Sequence, residues 1–349
     1  MESLIIKILF LSSLAFIFAM AWTPLLTNFL YKYKLGKTIR NSGATPIFSK
    51  LHAAKSGTPT MGGVLIWGTV LAFAVFFYIF GYKLNWPWVN QFNFLSRAET
   101  WLPLGVLISS AVVGLLDDWL DVRGKGAKGG GGITVGKRLM LYTAIALVGA
   151  AWFYFKLERD TFHIPFHGDF HLGIWYILAF VFVIVGTAFS VNQTDGLDGL
   201  AGGVLLISFA SYAVISFING AYNLATLCAI IVGALLAFLW FNITPARFYM
   251  GDTGSMGLGI TLGVIAMLTN TALILAVIGS IFVLEAVTTI IQVVSKRTRG
   301  KKVFLSAPIH HHFEAKGWSE AKIVMRFWVI AGVSAAVGLV IFLLDKMHV

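Results

Sequence analysis

Long apolar runs separated by short polar segments fill almost the whole chain. The runs cover residues 4–30, 61–80, 102–117, 137–156, 173–191, 199–218, 222–241, 255–269, 272–295 and 325–344. Most approach the ~20 residues that a helix needs to cross the hydrocarbon core of a bilayer. The pattern predicts an all-α, polytopic membrane protein with about ten transmembrane helices. It leaves no room for a separate soluble domain, so residues 1–349 are expected to form one transmembrane unit. No repeat of solenoid period is visible. One joint decides the sidedness of everything after it. Ser255–Ser295 is apolar apart from Thr269-Asn270-Thr271, and a tight hairpin at those three residues is expected there.

Composition excludes the soluble alternative. Hydrophobic residues make up 58% of the chain and charged residues only 12%, against about 25% charged in a soluble domain. A formal charge of +11 would suit a nucleic-acid partner, but its distribution argues for a bilayer. Of the 26 Lys and Arg, six fall in 32–60, five in 119–138, one in 242–254 and eight in 296–326. With alternating spans those 20 share one side. Lys7, Lys83, Arg97, Lys156, Arg159 and Lys346 fall on the other. Basic loops stay cytoplasmic, so both termini are expected to be periplasmic; such loops also attract phosphates and anionic lipid heads. Ala19-Met20-Ala21 resembles a cleavage site, but the segment before it sets Glu2 against Lys7, so cleavage is not expected. The single cysteine, Cys228, lies within an apolar run and excludes an intramolecular disulfide or a cysteine-based metal cluster.

Four polar segments fall on the same side by this parity: Gly114–Asp118 (GLLDD), Asn192–Gly199 (NQTDGLDG), Asn242–Ser255 (NITPARFYMGDTGS) and Pro308–Glu314 (PIHHHFE). Asp117 and Asp118 close the third span, where paired carboxylates mark either function or the water interface. Asn192 opens a short turn in which Asp195 and Asp198 alternate with Gly196 and Gly199. Such a turn lets backbone approach a ligand, and its oxygens suit a hard cation; the alternative is a polar hairpin. Gly251, Asp252 and Ser255 open the eighth span, where backbone N–H groups can meet a phosphate, although Asp252 could equally be only the helix cap. His310, His311 and His312 are consecutive, so a regular helix would not aim all three at one metal; a bent loop could present two to a phosphate or nucleotide. Gly131–Arg138 (GGITVGKR) approaches a phosphate-binding loop but lacks the hydroxyl residue after the lysine and a preceding strand. A flexible basic flap is the better description. Glu285 lies inside the ninth span. It is a functional candidate by position or a buried acid bonded to a neighbouring helix.

Together with Lys55–Gly63 (KSGTPTMGG), these segments resemble, in order and placement, the polyprenyl-phosphate glycosyl-1-phosphate transferases. The KSGTPTMGG and APIHHHFE segments are similar more narrowly to the bacterial phospho-N-acetylmuramoyl-pentapeptide-transferase family. The likeness runs from Lys50 to the last span, including Lys316-Gly317-Trp318 and Arg326-Phe327-Trp328. It implies a cell-wall enzyme of the bacterial inner membrane, with its active site at the cytoplasmic face and no nucleic-acid partner. That enzyme moves phospho-N-acetylmuramoyl-pentapeptide from its UDP carrier to undecaprenyl phosphate, giving lipid I and UMP with Mg²⁺; a homodimer is also implied. The resemblance makes Asp252 the principal Mg²⁺ ligand and Asp117 the group that orients or deprotonates the lipid phosphate. Asp118 completes the catalytic and metal-binding acids. Lys55, Thr60, Lys125 and Lys128 are the diphosphate contacts. Asn192, Asp195, Asp198, Asn242, Tyr249, Gly251, Ser255, Gln292, His310, His311 and His312 are the remaining substrate-binding candidates. A phosphate ester is largely dianionic at neutral pH, so direct attack is expected over a covalent aspartyl phosphate.

Asp121, Gln193, Tyr249, Leu305-Ser306 and the Gly129–Gly132 run depart from the family pattern and leave the finer contacts open. Two other activities compete: a sister transferase using UDP-N-acetylglucosamine, and a secondary transporter built around Glu285 and broken helices.

Overall fold

The computed structural model describes residues 1–36, 57–97, 99–124 and 132–348. Helix α1 spans Glu2–Lys32, and α2 spans Val64–Phe76 before loosening into a π-helical turn at Phe77–Lys83. A short α3 (Pro87–Asn90) leads to α4 (Trp101–Val122) and α5 (Val135–Ala151). After a two-stranded hairpin come α6 (Trp175–Thr194), α7 (Leu200–Ile218), α8 (Tyr222–Asn242) and α9 (Gly251–Leu268). The chain ends with α10 (Ala272–Ile278), α11 (Ser280–Arg299), α12 (Ile309–Ala315) and α13 (Glu320–His348). Among the described residues nine helices are long and apolar enough to cross a bilayer, and α10 with α11 adds a bent tenth passage.

The exterior is apolar. Phe182, Val148 and Leu25 are 78%, 73% and 72% exposed, which in water would expose a continuous aggregation-prone surface. In a bilayer the same surface is solvated by lipid tails. On α1 the buried positions Leu11, Ala15, Ala19, Thr23, Leu26 and Leu30 recur every three or four residues and face α8, while Ile6, Leu9 and Ile17 point outward. Lipid gives apolar helices no hydrophobic reason to associate, so close packing has to hold them. Helix α9 shows how. Almost wholly buried, it sits between α4 and α6. A Cβ on its Gly259 would lie 3.0 Å from Cα of Ala188 on α6, so the two backbones nearly touch.

The turn at Thr269-Asn270 separates α9 from α10 as expected, with Asn270 at φ +53°. The ninth run is not one helix over 272–295, however. It breaks at Gly279, and its halves are bent by 86°. Past the break, α11 is arranged inside out. Glu285, Thr288, Gln292 and Ser295, spaced three or four residues apart, are buried, while Val283, Leu284, Val287, Ile290, Ile291 and Val294 are exposed.

The two ends of the bundle differ in chemistry. At one end Lys7 Nζ of α1 donates to the carbonyl of Asn93 (2.7 Å), and Glu99 accepts the N–H groups of Asn223 and Leu224 at the start of α8. Lys346 of α13 reaches Asn219 (2.8 Å) at the same end, so both ends of the described chain lie there. This end also carries a hairpin that the hydropathy pattern does not mark. Strands β1 (Thr161–Ile164) and β2 (Gly168–His171) pair antiparallel, with Thr161 opposite His171 and Ile164 opposite Gly168.

His163 clasps that hairpin to the bundle. Its Nδ1 lies 2.7 Å from Asp169 and its Nε2 2.6 Å from Asp345 of α13. Asn270 accepts the His163 N–H and donates to Asp169. Burial alone would lower the His163 pKa, but hydrogen bonds and charge from Asp345 and Asp169 outweigh it and hold the group above its ordinary 6.5. A raised folded-state pKa gives stability that is complete below the unfolded value and lost as pH climbs through the folded one. Hydrogen exchange of residues 161–171 should therefore accelerate, beyond the intrinsic rate, as pH rises from about 6.5. The His163→Ala variant should lack that dependence; a wild-type hairpin whose protection does not change with pH would contradict the clasp.

Candidate active site

The opposite end gathers the C-termini of α4, α6 and α8 with the N-termini of α5, α7, α9 and α13. The first contact is made by two glycines. A Cβ on Gly114 of α4 would run into the Asp252 carbonyl, and one on Gly251 (φ +73°) into the Asp118 carboxylate. Close approach lets Asp118, 3% exposed, cap α9. Its Oδ1 accepts the N–H of Asp252 (3.0 Å), and its Oδ2 accepts that of Thr253 (3.0 Å). Thr60 Oγ1 lies 3.5 Å from Asp118 Oδ1. The first turn of a helix leaves its N–H groups unpaired, and a carboxylate there also complements the positive end of the helix. Losing this cap should cost about 2–4 kcal/mol, so Asp118→Ala should unfold at clearly lower temperature in detergent. An unchanged midpoint would count against the capping role.

Asp117, one residue earlier, points elsewhere. Successive residues on a helix are ~100° apart, so while Asp118 meets α9, Asp117 meets α5. It accepts the N–H of Ile133 and a 2.8 Å bond from Arg138 Nη2. The same nitrogen lies 2.7 Å from Asp252 Oδ2, and Nη1 donates to Asn192 Oδ1 at 3.0 Å. Asn192 Nδ2 in turn donates to Asp252 Oδ1 (2.6 Å) and Ser255 Oγ (3.1 Å). One guanidinium thus gathers two carboxylates and an amide oxygen from α4, α9 and α6. Arg138 was not among the sequence candidates. The signal for it was a cation opening a span on the same side as the paired aspartates, hidden in a segment that resembled a phosphate loop.

The Asn192–Gly199 turn joins this cluster to two others. Asp195 forms the C-terminal cap of α6. Asp198 accepts the N–H of Ala246 (3.1 Å) and donates its own N–H to Glu320 (2.7 Å). Asn242 is buried and stitches backbone, accepting from the Gly199 N–H (2.9 Å) and donating to the Phe248 carbonyl (2.9 Å). The backbone of Tyr249 bonds to Pro59 and Gly62, which ties the segment before α2 to the start of α9.

The histidines sit on α12, each differently held. His310 Nδ1 is 2.9 Å from Glu285 Oε2, His311 Nδ1 2.6 Å from Glu314, and His312 Nδ1 accepts the Leu305 N–H at 3.1 Å. Gln292 binds the chain before α12, with Oε1 accepting from Val303 and Phe304 and Nε2 donating to the Phe304 carbonyl. Lys55, Lys125 and Lys128 lie outside the described residues.

Among the described residues no three His, Cys, Asp or Glu side chains surround a common point as a closed metal cage would require. Mg²⁺ does not need one: it is usually held by one or two carboxylates together with substrate phosphates and water. Asp117, Asp252 and the Asn192 carbonyl are hard oxygen donors already drawn together around one positive group. Their chemistry fits the ion.

A multi-pass membrane protein with acids, a guanidinium and histidines gathered at one end of its bundle is the architecture of a membrane-surface group transferase. Residues 100–270 match the model of glycosyl transferase family 4, and residues 55–66 match phospho-N-acetylmuramoyl-pentapeptide-transferase signature 1. A phospho-N-acetylmuramoyl-pentapeptide-transferase of Chloroflexus aggregans is 40% identical over 95% of this chain and 89% of its own length. One from a Geobacillus species is 39% identical over 94% and 95%, and one from Anoxybacillus flavithermus 38% over 96% and 97%. The chain belongs to the phospho-N-acetylmuramoyl-pentapeptide-transferase family.

Proposed function

We propose that this protein transfers phospho-N-acetylmuramoyl-pentapeptide from UDP-N-acetylmuramoyl-pentapeptide to undecaprenyl phosphate, releasing UMP and leaving lipid I in the bacterial cytoplasmic membrane. Family membership supports the donor, since the relatives carry that activity in their names. The observation that carries the chemistry is the Asp117–Arg138–Asp252 cluster at the membrane-surface end of the bundle. An oxygen of the lipid phosphate attacks the β-phosphorus of the donor. The new P–O bond forms as the bond to the bridging oxygen breaks, and UMP departs with that electron pair. Such a transfer depends on positioning and charge neutralisation more than on covalent help from the protein. Mg²⁺ would supply that neutralisation when bound, and Asp252 and Asp117 are the residues that would hold it.

The chain's own groups have separable tasks. Arg138 keeps the two carboxylates from repelling each other and offers N–H donors to phosphate oxygens. Asp118 fixes the α9 N-terminus by accepting the Asp252 and Thr253 N–H groups. Asn192 holds Asp252 in place and is itself steadied by Ser255, and Thr60 sits beside the Asp118 cap. The Asn192–Gly199 turn and the histidines of α12 face the nucleotide–sugar portion, with Asp195, Asp198, Asn242, Tyr249 and Gln292 shaping its walls. Lys55, Lys125 and Lys128 supply diphosphate contacts. The excess of Lys and Arg in the loops at this end supports a cytoplasmic position, where the donor is soluble and the lipid phosphate reaches the surface.

Purified protein in detergent, given undecaprenyl phosphate and Mg²⁺, should release UMP from UDP-N-acetylmuramoyl-pentapeptide and not from UDP-N-acetylglucosamine. Release from the acetylglucosamine donor alone would keep the chemistry and change the substrate.

A further inference from the structure

Glu285 is a buried carboxylate that the proposed chemistry leaves unused. Its side chain and that of His310 are fully buried, and Oε2 lies 2.9 Å from His310 Nδ1. Each has a second polar atom, Glu285 Oε1 and His310 Nε2, that is buried without any hydrogen-bond partner. Buried polar atoms are nearly always paired, so each exception calls for a reason. The direction of the bare nitrogen suggests one. A Cβ on Gly196 would overlap His310 Nε2 and lie 2.8 Å from Cε1. The imidazole edge therefore faces the bare backbone of the turn that follows α6, the helix whose last turn carries Asn192, the contact of Asp252.

A carboxylate can only accept, so an imidazole bonded to it through Nδ1 carries its proton there. Nε2 is then the ring atom left to serve a ligand. The seat of α12 has other ties: the Phe313 ring meets Phe327 of α13 edge-on at 6.1 Å, and Gln292 of α11 holds the backbone of Val303 and Phe304 just before α12.

We propose that Glu285 is a positioning residue for the transfer reaction. It holds His310 with Nδ1–H on the carboxylate and so presents Nε2, beside Gly196, to a polar group of the nucleotide-linked donor. Glu285 acts through His310 and does not itself touch substrate. This inference rests on the transferase reading above.

The test compares wild type with Glu285→Ala, Glu285→Gln, His310→Ala and the double variant Glu285→Ala/His310→Ala, following UMP release. Glutamine still offers an oxygen to Nδ1–H, so Glu285→Gln should keep most of the activity that Glu285→Ala loses. Glu285→Ala should raise the KM for the donor at least about tenfold, with the KM for the lipid acceptor unchanged. General damage to the fold would lower kcat through the active fraction and leave both KM values where they were. Residues that act as a unit are not additive, so the double variant should be no slower than His310→Ala alone. If Glu285→Ala fails to fold, Gly196→Ala displaces the ring while leaving both partners in place, and it should show the same donor-specific loss. Multiplying effects, a glutamine variant no better than alanine, or a fully active Gly196→Ala would overturn the inference. Wild-type turnover is measured first: silence there removes the transferase reading and this inference with it. An active wild type with multiplying variants removes this inference alone.

Discussion

Replacing Asp252 with Asn should reduce UMP release at least about 10²–10³-fold, the range seen when one electrostatic contact to a developing charge is removed. The substitution changes charge and almost nothing else. The backbone N–H of residue 252 still donates to Asp118, and an amide oxygen still accepts from Asn192. What goes is the negative partner of Arg138 Nη2 at 2.7 Å and the oxygen pair suited to a divalent cation. Thermal unfolding in detergent should therefore stay near wild type while turnover collapses. Asp118→Ala is expected to show the reverse order of sensitivity, with stability failing first, because both of its carboxylate oxygens are committed to the α9 backbone. Near wild-type turnover by Asp252→Asn would remove Asp252 from the reaction.

Removing Arg138 should be nearly as severe. Arg138→Ala leaves Asp117 and Asp252 facing each other across the space the guanidinium filled, and two like charges in one site cannot both ionise without a cation. A loss of about 10²-fold in kcat is expected. The variant should also become more dependent on divalent cation for its stability, because a ligand that binds only the folded state raises the unfolding temperature. Added Mg²⁺ should thus raise the unfolding midpoint of Arg138→Ala more than that of wild type. Equal shifts together with a wild-type rate would show that Arg138 is not the hub described above.

How far the chain's own pattern reached follows from what hydropathy and charge can encode. The seventh run, residues 222–241, lies within one residue of Tyr222–Asn242, because an apolar stretch bounded by polar residues has little choice of where to stop. Counting spans against the Lys and Arg of the loops brought four distant segments to one side, and in the structure all four meet at one end of the bundle. Hydropathy fails where polarity is internal. The ninth run carries its polar residues at helical spacing toward the protein, so an average over the run conceals both the stripe and the break at Gly279. The β1–β2 hairpin is short and polar and leaves no mark at that scale.

Within the site, residue type was legible and orientation was not. Asp117 and Asp118 are adjacent and chemically identical, yet one meets a guanidinium and the other a helix N-terminus; only the rotation of α4 against α9, set by Gly114 and Gly251, separates them. Asn242 and Gln292 have polar side chains beside a ligand-binding motif, but their amides are engaged by backbone groups. Arg138 escaped because the glycine-rich segment before it resembled a different motif.

The most direct test of the central claim follows the transferred phosphorus. Donor labelled in its β-phosphate is incubated with wild type, Mg²⁺ and undecaprenyl phosphate, and label is counted in the lipid extract against UMP released. The account predicts one labelled lipid for each UMP, no release without the lipid acceptor, and loss of both signals in Asp252→Asn. UMP released without acceptor, or label leaving as water-soluble phosphate, would contradict transfer to a lipid phosphate at this site.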